Sequence, residues 1–80
     1  MIDYFEDVKK IIVQQFELDE DSIEEESFFS SDLNITELDV EDLVAAIEDK
    51  YQIEIPLEQY PKFIQVSDLV TYLYEHADRD

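Results

Sequence analysis

The chain has 80 residues, 23 of them acidic against five basic, for a formal charge of −18; this length is one small domain, residues 1–80. It has no cysteine and no glycine, which excludes disulfides, thiolate catalysis, Cys-ligated zinc and the Gly-rich loops that cradle nucleotide phosphates. Such a charge repels nucleic acid and anionic lipid heads, and attracts basic proteins and, weakly and without specificity, divalent cations.

Hydrophobic residues make up 45% of the chain and aromatics 12%, enough for a thin core. No apolar run approaches the roughly 20 residues that span a bilayer. Asp3, Glu6 and Asp7 stand where a signal peptide would be basic. A soluble, cytoplasmic monomer is expected, with no nucleic-acid or membrane partner.

A first helix is predicted from about Asp3 to Glu17. Ile2, Phe5, Val8, Ile11, Ile12 and Phe16 recur at three- and four-residue steps, and with Met1 they mark the buried stripe. Asp3 caps the free N–H groups, and Glu6 stands where a capping box puts its acid. Residues 18–35 read as a long acidic loop around the clusters Asp19-Glu20-Asp21 and Glu24-Glu25-Glu26. A structureless loop of that length is out of place in a compact domain. Leu18, Ile23, Phe29 and Leu33 are therefore expected to pin it, with one helical turn at Asp21–Glu24. A calcium-binding EF-hand does not fit, because Ile23 occupies a ligand position and the turn glycine is missing. Asn34-Ile35-Thr36 matches a glycosylation sequon by chance, since no secretory signal accompanies it.

The second helix is predicted from Glu37 to Tyr51, with Val40, Leu43, Val44, Ile47 and Tyr51 facing inward. Thr36 is its cap and Asp39 the box partner. Glu37, Asp39, Glu41 and Asp42 crowd the end where the helix dipole favours anions. Glu48 and Asp49 continue the acidic face toward the end where it does not, which hints at an external use. Ile53-Glu54-Ile55-Pro56 is an extended connector, and Tyr60–Ile64 a short helix with Pro61 in its first turn. Ser67 caps a last helix reaching about His76, with Val66 just outside and Leu69, Val70, Leu73 and Ala77 inward. His76 has no nucleophile or ligand partner at a useful spacing, and no nucleophile–base pair can be assembled. No enzymatic activity is expected. The fold class is all-α: a small antiparallel bundle of three longer helices and one short one, with a long first loop.

The ordered residues resemble the acyl carrier protein family over nearly the whole chain. Val8-Lys9-Lys10-Ile11-Ile12 is similar to the family's first helix, and Phe29 to its loop anchor. Leu38-Asp39, Leu43-Val44 and Ala46-Ile47-Glu48 are similar to its second helix, and Tyr51 with Glu54-Ile55-Pro56 to the exit from it. Lys62, Val66 and Tyr72 also fall on family positions. The family's attachment pattern is Asp-Leu-Gly-X-Asp-Ser-Leu, whose serine carries 4′-phosphopantetheine. Here it reads Asp32-Leu33-Asn34-Ile35-Thr36-Glu37-Leu38. Asn34 tolerates the left-handed backbone that the glycine takes, Thr36 keeps the cap, and Glu37 replaces the serine.

The resemblance implies docking of the second helix on basic-surfaced enzymes of fatty acid, polyketide or related acyl-chain biosynthesis. The partner-facing residues would be Glu37, Leu38, Asp39, Glu41, Asp42, Ala45, Glu48 and Asp49. No cofactor and no specific metal are expected, because a carboxylate offers no hydroxyl for the arm. One alternative is a genuine acyl carrier loaded with 4′-phosphopantetheine at Thr36, Ser30 or Ser31; another is an acidic decoy or inhibitor. Carriers of this family shelter an acyl chain between helices. Here Tyr51, Tyr60, Phe63 and Ile64 approach that space, and their bulk is expected to fill it.

Overall fold

A computed structural model describes residues 3–77 as three α-helices and two 3₁₀ segments: α1 (Tyr4–Phe16), a turn at Glu20–Ser22, α2 (Glu37–Tyr51), a segment at Leu57–Lys62, and α3 (Val66–His76). The all-α bundle is as the sequence predicts. Helix α1 packs against both α2 and α3, and the Leu57–Lys62 segment packs against α2. No helix among the described residues is long and apolar enough to cross a membrane.

Helix α1 starts where Asp3 accepts a hydrogen bond from the Glu6 N–H at 3.2 Å. The carboxylate of Glu6 turns to Lys9 at 3.2 Å instead of completing a capping box. Tyr4, Val8 and Ile12, one helical turn apart, form the fully buried line; Phe5, Ile11 and Phe16 flank it half-buried. Tyr4, outside the predicted stripe, belongs to the core. Its ring lies edge-on to Tyr51 and Tyr74, with centroids 5.5 and 4.8 Å away, a favourable aromatic geometry. Met1 and Ile2 lie outside the described residues.

The acidic loop is ordered by its backbone while its acids face water. Ile23, Phe29 and Leu33 are buried as expected, Leu18 is half-buried, and Ile35 joins the core. The helical turn lies at Glu20–Ser22, one residue ahead of the predicted start. The buried Ser27 hydroxyl accepts from the Glu24 N–H at 3.0 Å. The carbonyls of Glu25, Glu26 and Ser27 accept from Ser67, the Gln65 side chain and Val66. The loop is thereby stitched to the entrance of α3, and Phe28 and Gln65 form an isolated antiparallel bridge there.

Helix α2 has the predicted limits and buries Val40, Leu43, Val44 and Ile47. Burying each such side chain contributes about 1.5–3 kcal/mol. The 3₁₀ segment begins directly after Pro56, three residues before the predicted short helix. Pro56 presents its carbonyl to Gln59 at 3.0 Å, while Pro61 lacks the N–H that a continuing helix needs. Phe63, expected inside that helix, leaves it and is buried. The cap of helix α3 lies two residues before the predicted one. Gln65 is the cap residue, and Asp68 accepts from the N–H groups of Ile64 and Gln65 at 3.0 and 2.9 Å. Val66 is therefore the first helical residue and fully buried, and the Ser67 N–H, free of any intrahelical acceptor in this first turn, donates to the Glu25 carbonyl.

Candidate functional site at the start of helix α2

The site begins with the turn that aims α2. Asp32 accepts from the Phe28 N–H at 2.8 Å, and the Phe28 carbonyl takes both the Asp32 and Leu33 N–H groups. Asn34 then adopts φ 57°, the left-handed region expected of it. That reversal returns the chain so that the Ile35 N–H reaches the Phe29 carbonyl at 2.7 Å, with Leu33 and Ile35 both buried. The Phe29 N–H reaches the Ile64 carbonyl at 3.0 Å, tying the turn to the segment before α3.

Thr36 and Asp39 form the reciprocal box read from the sequence. Thr36 Oγ1 accepts from the Asp39 N–H, and Asp39 Oδ2 accepts from the Thr36 N–H, both at 3.1 Å. The first residue past this cap is Glu37. It is exposed, and its carboxylate has no hydrogen-bond or ion-pair partner among the described residues.

Beside Glu37 lies a groove of about 170 Å³ between α2 and residues 60–64, lined by Val40, Glu41, Tyr60, Pro61, Phe63 and Ile64 together with Glu37 itself. Glu37, Val40 and Glu41 share one helix face at steps of three and four. Tyr60, Phe63 and Ile64 stand where the sequence put them, but they wall the space and leave it open. The groove opens at the surface, and Phe63 is buried in the core behind it. Tyr51 is elsewhere: its hydroxyl donates to Asp7 Oδ2 at 2.6 Å, linking α2 to α1. Val40 and Pro61 were not read as site residues, though the spacing of Val40 from Glu37 carried the signal. Burial raises the Tyr60 phenol above its ordinary pKa, and the carboxylates of Glu48 and Glu41 add to the effect.

The other predicted partner-facing residues divide. Leu38, Glu41, Asp42, Ala45 and Asp49 are exposed. Asp39 and Glu48 are half-buried and engaged: Asp39 in the cap, Glu48 through Oε2, which accepts from the Ile55 N–H at 2.7 Å. Ser30 and Ser31 are exposed in the loop. Among the described residues no group of three or more His, Cys, Asp or Glu side chains is placed to hold a metal ion.

Residues 6–73 match the family described as "Phosphopantetheine attachment site". The chain is 44% identical over 72 residues to the acyl carrier protein of Helicobacter hepaticus, covering 90% of this chain and 95% of that one. It is 42% identical over 69 residues to the acyl carrier protein of Campylobacter lari, covering 86% and 90%. The acyl carrier protein of Wolinella succinogenes is also 42% identical over 69 residues, covering 86% and 91%. The side chain at position 37 is a carboxylate without a hydroxyl, and the neighbouring Thr36 Oγ1 accepts the Asp39 N–H in the helix cap.

Proposed function

This chain belongs to the acyl carrier protein family, and from that premise we propose that it serves acyl-chain biosynthetic enzymes by docking α2 on their basic surfaces, without carrying a prosthetic arm. Proteins of this family are carriers and not enzymes. The observation behind the unloaded reading is Glu37: an exposed carboxylate on the first residue of α2, where the family's pattern has its serine. The exposed acids of α2 support the docking part. Their uniform negative charge steers a basic partner into encounter and fixes orientation more than it adds affinity. Asp39 and Glu48 belong to the helix's own architecture, so the docking strip is narrowed to Glu37, Leu38, Glu41, Asp42, Ala45 and Asp49.

A second reading is a genuine carrier with 4′-phosphopantetheine on Thr36, Ser30 or Ser31. The family match and the relatives' names favour it. The two readings agree on service to acyl-chain enzymes and part only over loading. Intact mass after incubation with coenzyme A and a permissive phosphopantetheinyl transferase separates them. The unloaded reading expects no added mass on the wild type and the full added mass on Glu37→Ser. An arm on the wild type, mapped to one of the three hydroxyls, overturns it.

A further inference from the structure

We draw no further inference here: the strongest candidate, the open cleft between residues 59–62 and α3 lined by Gln59, Lys62, Asp68, Thr71, Tyr72 and Glu75, sets one cation beside two carboxylates and so selects neither sign of ligand, and nothing in the structure shows what covers it.

Discussion

The two ends of α2 look alike in the sequence and are used in opposite ways. At the start, Glu37 and Glu41 face an open groove and water with no partner among the described residues. At the far end, Glu48 holds the Ile55 N–H at 2.7 Å, and Tyr51 holds Asp7 at 2.6 Å. Beyond the Thr36–Asp39 cap, the first end turns Glu37 and Glu41 outward beside an apolar groove. The second turns polar groups inward and uses them to fasten the exit loop and helix α1. An acidic strip is thus two things: a surface available to a partner and a set of internal ties. Only the hydrogen-bond partners distinguish them.

Substitutions of Glu48 and Tyr51 are expected to change stability, and those of Glu37 and Glu41 to change binding. The largest stability effect is expected from Tyr51→Phe, which removes a hydrogen bond to a charged group and costs about 2 kcal/mol in urea denaturation. It also has a pH signature. Burial, together with the hydrogen bond and charge of Asp7 and a smaller contribution from Tyr4, raises the Tyr51 phenol above its ordinary value. Below about pH 10 the phenol is neutral in both folded and unfolded chains, and its contribution is complete. As pH rises further, the unfolded chain loses this proton first, so stability falls until folded Tyr51 ionises too. Denaturation midpoints of the wild type are expected to drop as pH rises above about 10, and those of Tyr51→Phe to drop less, Tyr60 supplying part of the remaining slope. A wild-type midpoint that holds steady over that range contradicts the tie to Asp7.

Glu48→Ala comes next, at about 1.5 kcal/mol, because the Ile55 N–H loses its acceptor. Faster amide exchange at Ile55 in the variant would place the loss at that bond; unchanged exchange would show that the carboxylate does not hold it. The smallest effect belongs to Glu37→Gln and Glu41→Gln, each within about 0.5 kcal/mol of the wild type, as for surface positions without internal partners. A loss above that range at either residue would break the contrast between the two ends.

Much of this was legible beforehand. The helix limits of α2, its box of Thr36 and Asp39, the left-handed Asn34 and the loop anchors Ile23, Phe29 and Leu33 follow from periodicity, capping chemistry and local backbone preference, all carried by neighbours in the chain. The start of α3 was misread because its cap depends on Asp68; the Ser67 N–H goes to Glu25, far away in the sequence. Tyr4 was missed because two rings from distant segments surround it. The groove itself was not legible, because the sequence shows the size of Tyr60, Phe63 and Ile64 and not the direction in which they stand.

By itself, then, the sequence determined the helices, the caps, the family's ordered pattern and the carboxylate at position 37, since each depends on residues a turn or less apart or on identity alone. The tertiary structure decided which acids remain free. A carboxylate is external or internal according to whether a donor from elsewhere in the fold reaches it, and the N–H of Ile55 reaches Glu48 while none among the described residues reaches Glu37. It also decided that Tyr60, Phe63 and Ile64 wall a groove beside α2 instead of closing it, because side-chain direction there is set by the 3₁₀ segment and by the backbone bond from Phe29 to Ile64.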